Sequence, residues 1–386
     1  MRRNNSYTLT EIAGVPYLLP YGQMVADHKP GIRLNETGIF LWKLLEQEHS
    51  VEELVRLCAD SYEITDSQEL RELTVDIKEF VTGLCQRNIL VDDSLEPYPF
   101  THEKYLCIAG LTTKLIGPEE AFSHQFDAFC TSSCAEINQT IRIHIGEPGI
   151  KPNGTVLLLN EELVVMEQPE HYILLFPASP KIIEASLSKN GKFAEIYCMP
   201  PYTDLFREEL FHAIRLVWLY LAQKNSMMAI HSASILYQGK AWLFSGPSGT
   251  GKSTHTTLWN KHWGAPILNG DLNLLSLENG QPVIHGIPWC GTSGISDSKT
   301  YPLGGIVLLK KAPTDYVEKL PDDHRTLSVM NRFISPLWTK DMLRQNLNFA
   351  TTLSEKILIC RLNCTKEKSA AETMKSYIEE YLKKGF

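Results

Sequence analysis

The 386 residues are 43% hydrophobic and 21% charged, an ordinary soluble profile with room for two or three domains. Residues 1–98 hold 9 Lys and Arg against 17 Asp and Glu, so they carry the whole formal net charge of −8 and make a poor partner for a nucleic-acid backbone. No run approaches the roughly 20 apolar residues of a membrane span, and Met1-Arg2-Arg3-Asn4-Asn5-Ser6 lacks the apolar core of a signal peptide, so a cytoplasmic protein with no membrane partner is expected.

Chain order begins with Tyr17-Leu18-Leu19 and Met24-Val25-Ala26 around the turn-rich Pro20-Tyr21-Gly22-Gln23, which predicts a hairpin. A short helix is expected after Asn35, carrying Ile39, Phe40, Leu41, Leu44 and Leu45. Ser50-Val51-Glu52-Glu53 is a capping box that opens a second helix with Leu54, Leu57 and Cys58 on its apolar side. Thr65-Asp66-Ser67-Gln68 reads as another box, opening a longer helix in which Leu70, Leu73, Ile77, Phe80, Val81 and Leu84 recur at helical spacing. Ile89-Leu90-Val91 is then a short strand. Hairpin, three helices and closing strand make a winged-helix-like domain over 1–97.

Asp92 to Pro99 is polar with two prolines and reads as a linker. Short β-like runs follow, among them Ile141–Ile145, Val156–Leu159 and Tyr172–Phe176. Residues 98–200 show no catalytic signature and are assigned as scaffold. A helix is expected from about Leu205 to Gln223. The nine cysteines are scattered, as suits a reducing compartment. The pairs Cys130/Cys134 and Cys360/Cys364 lack the CxxC spacing and clustered histidines of a zinc site.

The most informative stretch is Gly246-Pro247-Ser248-Gly249-Thr250-Gly251-Lys252-Ser253-Thr254, a complete G-x-x-x-x-G-K-[ST] pattern. Glycines let backbone N–H groups converge on phosphate oxygens without Cβ clashes. The helix opening at the loop adds its positive end. Lys252 is expected to reach the terminal phosphates, and the Ser253 hydroxyl to bind Mg²⁺. Ala241–Phe244 is the strand into the loop and Thr256–Trp259 continues the helix out of it. These residues predict a nucleotide ligand with Mg²⁺ as its metal.

The flanks are unlike an ordinary GTPase. Ile230–Leu236, Tyr237-Gln238-Gly239-Lys240 and Ala241–Phe244 read as a hairpin. Leu272–Leu277, Glu278-Asn279-Gly280-Gln281 and Val283-Ile284 read as another. Turns this short cannot join parallel strands, so the sheet is mixed or antiparallel. His231-Ser232-Ala233, the glycine-rich loop, Asn269-Gly270-Asp271 and Ile287-Pro288-Trp289-Cys290-Gly291-Thr292 resemble the HPr kinase family, which shares its nucleotide-binding core with ATP-type phosphoenolpyruvate carboxykinase. The likeness covers 201–386 well and 98–200 loosely. The run Ile357 to Cys364 is similar to the final strand of HPr-kinase-like proteins from peptide-modifying gene clusters. The fold class is then mixed α/β, a winged-helix-like domain followed by an HPr-kinase-like P-loop domain over 98–386.

The resemblance implies ATP-dependent phosphorylation of a hydroxyl. Asp271 matches the family's carboxylate, serving as base and metal-linked group, and His231 matches the histidine before the loop. The family shows two adjacent aspartates where this chain has Asp271-Leu272, and an arginine where Val283-Ile284-His285-Gly286 stands. Charge stabilisation must then come from elsewhere, with Lys299 the nearest candidate. Cys290 sits in a glycine-rich loop expected on the acceptor side, though a buried structural thiol is the commoner role for such a cysteine.

Arg33-Leu34-Asn35-Glu36-Thr37-Gly38, Leu41-Trp42, Val51-Glu52-Glu53-Leu54, Tyr62 and Asn88-Ile89-Leu90-Val91 resemble the PqqD-like recognition elements of ribosomal peptide modification systems, over residues 10 to 92. That resemblance implies a leader peptide adding as a strand beside the hairpin and the third helix, here near Met24–Asp27 and the exposed face of the 65–86 helix. The chain reads as a kinase of a Ser or Thr hydroxyl on a precursor peptide, with Asp271, His231 and Lys252 catalytic. Residues Gly246, Ser248, Gly249, Thr250, Gly251, Lys252, Ser253 and Thr254 hold ATP, and Ser253 and Asp271 hold Mg²⁺. Two alternatives stay open: a kinase of a small molecule such as free serine, and a peptide-binding chaperone whose loop only senses nucleotide. Homo-oligomerisation is left open.

Overall fold

The computed structural model describes all residues except 5, 27–28, 48, 86, 88, 92–101, 133–135, 149–151, 201 and 385–386. The expected linker over 92–99 and Cys134 therefore lie outside the described residues. The chain divides into two compact units, Met1–Pro99 and Phe100–Phe386.

In the first unit, β1 (Tyr7–Ile12) and β2 (Val15–Pro20) pair antiparallel. Ala13 and Gly14 join them, both at positive φ (51° and 78°), the backbone that a two-residue hairpin with native twist requires. β3 (Ile32–Arg33) pairs on the far side of β2 and forms an edge of this sheet. The predicted strand at Met24–Ala26 is a correction, since Gln23–Ala26 is a single helical turn. The alternating run from Tyr7 to Ile12 pairs with β2 instead, and the proline- and glycine-bearing segment after it turns the chain.

α1 (Glu36–Leu44) opens at Asn35, whose Oδ1 accepts from Gly38 N at 2.8 Å. α2 (Val51–Ser61) has the expected capping box, with Ser50 and Glu53 each accepting from the other's backbone N–H at 3.1 and 3.0 Å. α3 (Ser67–Cys85) starts later than the predicted box. Asp66, not Thr65, is its cap, accepting from Gln68 N at 2.7 Å and Glu69 N at 3.1 Å. An ionised carboxylate is the stronger acceptor for those amides and sits at the dipole's positive end. Ile77, Val81 and Leu84 turn inward from α3 onto Leu18, Leu41, Trp42, Leu54 and Cys58. Each fully buried leucine contributes about 1.5–3 kcal/mol. Leu90–Val91 pairs with Arg2–Arg3.

The second unit holds two large sheets. The first has eight strands between His102 and Cys198, mostly antiparallel. Its interior strands alternate buried and half-buried residues, as in Leu111–Gly117 and Gln139–Ile145, so one face is fully packed. α4 (Asp204–Lys224), capped by Thr203, buries Leu210, Phe211, Ile214, Val217 and Trp218 in the core of that sheet. The same core takes Leu272, Leu274 and Trp289 from the second sheet's region, so α4 belongs to both.

The second sheet is built by β4 (Met228–Tyr237), β5 (Lys240–Ser245), β6 (Leu272–Glu278), β7 (Gln281–His285), β8 (Thr300–Lys311) and β9 (Leu358–Cys364), with Tyr316–Lys319 at its edge. β4 and β5 form the expected hairpin, as do β6 and β7. Positive φ at Gln238-Gly239 and Asn279-Gly280 makes both turns. β5–β8 and β8–β9 are parallel, so the sheet is mixed. β4 and β8 are long enough to serve different neighbours with their two halves, and the pairing β5-β4-β6-β7-β8-β5 closes on itself. α5 (Lys252–Trp263) leaves the end of β5, and α6 (Asp322–Met330), α7 (Lys340–Lys356) and α8 (Lys368–Lys383) complete the unit. Cys360 and Cys364 are both buried in β9, where burial pushes their thiols up to about 12 and about 11. Among the described residues, no helix is long and apolar enough to cross a membrane.

Candidate active site

The loop between β5 and α5 has the backbone its sequence demands. Gly249 and Gly251 sit at φ 74° and 102°, which an L side chain rarely adopts. A Cβ at Gly246 would come within 2.7 Å of Thr250 Oγ1 and 3.1 Å of Leu309 O, so the first glycine allows β8 to pass close beneath. Thr250 Oγ1 donates to Pro247 O at 2.7 Å and fixes the bend. Lys252 Nζ donates to Gly246 O at 3.3 Å, which lays the lysine along the loop. Burial lowers the Lys252 pKa, Asp271 pushes it back up and Arg332 lowers it further. Ser253 and Thr254 are exposed on the first turn of α5.

Asp271 stands at the start of β6 in an Asx turn. Asn269 Oδ1 accepts from the N–H groups of Asp271 (3.0 Å) and Leu272 (3.1 Å). The same side chain donates to Ile287 O and Trp289 O, at 3.4 and 3.3 Å, tying the turn to the Trp289 loop. Ser232 N donates to Asp271 O at 2.9 Å. These bonds aim the Asp271 carboxylate at His231, whose Nε2 is 3.0 Å from Oδ1. His231 is held in turn by β4, with Ser245 Oγ donating to its carbonyl at 2.7 Å and its own N–H donating to Arg332 O at 2.9 Å. The His231 hydrogen bond lowers the Asp271 pKa most; burial opposes it, and the charges of His231, Lys252 and Arg215 lower it further.

His231, Lys252 and Asp271 therefore come together, and the loop residues flank them. His285, in the segment where the resemblance would have placed an arginine, is buried, with its ring nitrogens 2.7 Å from Ser276 Oγ and 2.9 Å from Thr300 Oγ1. Lys299 is exposed, and its carbonyl serves Gly286 N. The cations that act on the site are Arg215 of α4 and Arg332, just after α6. Sequence reasoning missed both. Arg215 did leave a signal, a lone charge inside the apolar run from Phe211 to Trp218. Cys290 is buried, its thiol pushed up by burial, and its carbonyl accepts from Ser293 Oγ at 2.7 Å.

A cavity of about 560 Å³ lies against the loop, lined by Gly246, Pro247 and Thr250 together with Lys310, Lys311, Arg332 and Arg361, while Lys252, Ser253 and Asp271 lie outside its lining. Loop backbone beside four cations suits an anionic group. Among the described residues no cluster of three or more His, Cys, Asp or Glu could cage a metal. Mg²⁺ in phosphotransfer sites needs no such cage, only one or two oxygens beside the phosphates. The exposed Ser253 hydroxyl and the Asp271 carboxylate fit that requirement.

The first unit carries a groove of its own, about 630 Å³, between β3 and α3. Ile32, Arg33 and Asn35 line one side, and Glu79, Phe80, Gly83 and Arg87 the other. The edge strand there is Ile32–Arg33, not the Met24–Ala26 segment.

Residues 24–90 match the family model of coenzyme PQQ synthesis protein D, PqqD. Among solved structures, the Hpr(Ser) kinase/phosphatase from Coxiella burnetii aligns at 10% identity over 40% of this chain and 97% of that one, with a TM-score of 0.23. No curated protein matches the chain.

Proposed function

We propose that this chain is an ATP-dependent kinase of a Ser or Thr hydroxyl on a ribosomally made precursor peptide. The observation that carries the chemistry is the His231–Asp271 pair at 3.0 Å, placed beside the lysine of a glycine-rich loop. Backbone N–H groups from Gly249 to Ser253, the start of α5 and Lys252 bind the β- and γ-phosphates. Mg²⁺, when bound by Ser253 and Asp271, neutralises charge on the phosphate oxygens. Asp271 accepts the proton of the acceptor hydroxyl, and His231 orients it. A carboxylate held below its usual pKa is a weak base, which suits phosphoryl transfer, where positioning and charge contribute more than proton abstraction.

The peptide part of the reading rests on the PqqD match over residues 24–90. A winged-helix-like domain over 1–97 would hold the leader as an added strand on β3, alongside α3. Leader binding raises the effective concentration of the core peptide at the HPr-kinase-like domain, residues 98–386. The deciding experiment incubates the protein with γ-labelled ATP and either a leader-containing precursor peptide, the same peptide without its leader, or free serine. Labelling that depends on the leader supports the reading. Equal labelling without the leader sinks the peptide part, and labelling of serine alone makes the protein a small-molecule kinase.

A further inference from the structure

Next to Asp271 is a second cavity, about 430 Å³, that no residue of the glycine-rich loop lines. Three distant stretches build it: the Ser123–Gln125 turn, the Asp204–Arg215 part of α4, and Trp289 with Gly291. Gly291 is the partition. At φ 60° it carries no side chain, and a Cβ there would lie 2.8–3.2 Å from the Asp271 Cβ, Cγ and Oδ2. The cavity-lining Gly291 is therefore packed against the Asp271 side chain. Phe211 and Trp289 form an apolar wall, with ring centroids 5.7 Å apart and Trp289 Nε1 donating to Phe211 O at 3.0 Å. A space of this size takes one or two residues of an extended chain, not a folded acceptor.

Among the described residues, two of the basic side chains in the cavity have acceptors, and Arg215 does not. Arg207 donates to Asp204 Oδ1 and to Glu120 O, each at 3.0 Å. His212 stands 3.9 Å from Glu208. Arg215 is half-buried, and among the described residues its guanidinium makes no hydrogen bond or ion pair. Burial lowers its pKa and the charge of Asp271 raises it, so the carboxylate it senses is that of the site. A partly desolvated guanidinium without an acceptor is costly to keep, and five N–H donors in a fixed fork fit the oxygens of a phosphoryl group.

We propose that this cavity is the side from which the acceptor enters, and that Arg215 is a catalytic residue that contacts the phosphoryl group as it is transferred. The proposal rests on the phosphotransferase reading above. The acceptor oxygen forms a bond to the γ-phosphorus while the bond to the bridging oxygen breaks. That electron pair leaves with ADP, and the hydroxyl proton passes to Asp271. Negative charge on the three equatorial oxygens then lies between Lys252 on the nucleotide side and Arg215 on the acceptor side. Arg215 supplies the positive charge that the segment around His285 does not.

The test measures MgADP binding to the full chain with and without aluminium fluoride, a planar mimic of the phosphoryl group. It uses the wild type, Arg215→Ala and Arg215→Lys, with intrinsic ATP hydrolysis (water as acceptor) as a second readout. All three should bind MgADP within about twofold. Fluoride should tighten the wild-type complex, and Arg215→Ala should lose at least about tenfold of that gain and about 10²–10³ in hydrolytic kcat, with KM for ATP little changed. Arg215→Lys should recover only part, because an ammonium lacks the planar fork. Full fluoride tightening and kcat in Arg215→Ala would overturn the assignment and leave the kinase reading intact. A wild type that binds no MgADP would defeat the kinase reading itself, a separable result.

Discussion

His231 and Asp271 face each other across neighbouring strands, Nε2 to Oδ1 at 3.0 Å, although 40 residues separate them in the chain. Their backbones are locked by the Ser232 N to Asp271 O bond one residue away. The pair therefore acts as one unit, and its single substitutions are expected to be non-additive. Asp271→Asn should lower phosphate transfer by about 10²–10⁴, and His231→Gln by less. The double variant should be no slower than Asp271→Asn alone. Single-turnover transfer from γ-labelled ATP measures all three, and strictly multiplicative losses would show that the two residues act independently.

Lys252 lies along the loop with Nζ on the Gly246 carbonyl, already desolvated and close to Asp271. Charge-assisted hydrogen bonds of this kind contribute about 1.5–3 kcal/mol. Lys252→Ala should therefore weaken MgATP binding by about 10- to 100-fold in isothermal titration, while Lys299→Ala should leave it unchanged. An effect of Lys299→Ala as large as that of Lys252→Ala would make the exposed loop lysine part of the site.

His255, on α5 directly behind the loop, is buried and stacked on Phe244 at 5.7 Å, with neither ring nitrogen hydrogen-bonded. Burial pulls its pKa down to about 4. Between the ordinary histidine value near 6.5 and that folded value, the unfolded chain takes up a proton that the folded chain refuses. Stability is therefore lost as pH falls from about 6.5 to 4, on the order of 3 kcal/mol in all. His255→Leu removes the titration and the two unpaired nitrogens. Its melting temperature should match or exceed the wild type's at pH 7 and fall less between pH 6.5 and 4. Parallel curves would refute this. Asp271, whose pKa is lowered, acts in a different window: its contribution is complete above the ordinary aspartate range and is lost only below it.

Local signals in the sequence carried over well where geometry is local. The Ser50–Glu53 box, the Gln238-Gly239 and Asn279-Gly280 turns and the run from strand to glycine-rich loop to helix depend on residues within a few positions of each other. The His231–Asp271 contact was reachable because both flank recognisable motifs. What failed depended on distant partners. Tyr17–Leu19 pairs with the Tyr7–Ile12 run before it, not the apolar Met24–Ala26 after it, and no local rule decides between neighbours of similar β-propensity. The Ser123–Gln125 turn reaches the second cavity from a region without any motif, and α4 brings Arg215 there by packing on both sheets.

Gly83 sits in α3 with open space where a Cβ would be, on the groove facing β3. A glycine inside a helix costs about 0.5–1 kcal/mol relative to alanine. Gly83→Ala should accordingly stabilise the N-terminal unit by that amount, read as a higher denaturation midpoint. Gly83→Phe should fill the groove without disturbing the buried face formed by Ile77, Val81 and Leu84. If the leader peptide adds to β3 and lies along α3, Gly83→Phe should abolish leader-dependent labelling while MgADP binding stays at wild-type strength. Arg87→Glu, at the end of the same groove, should weaken an acidic leader and strengthen a basic one. Unchanged leader-dependent labelling in a folded Gly83→Phe protein would move the recognition surface away from β3 and α3.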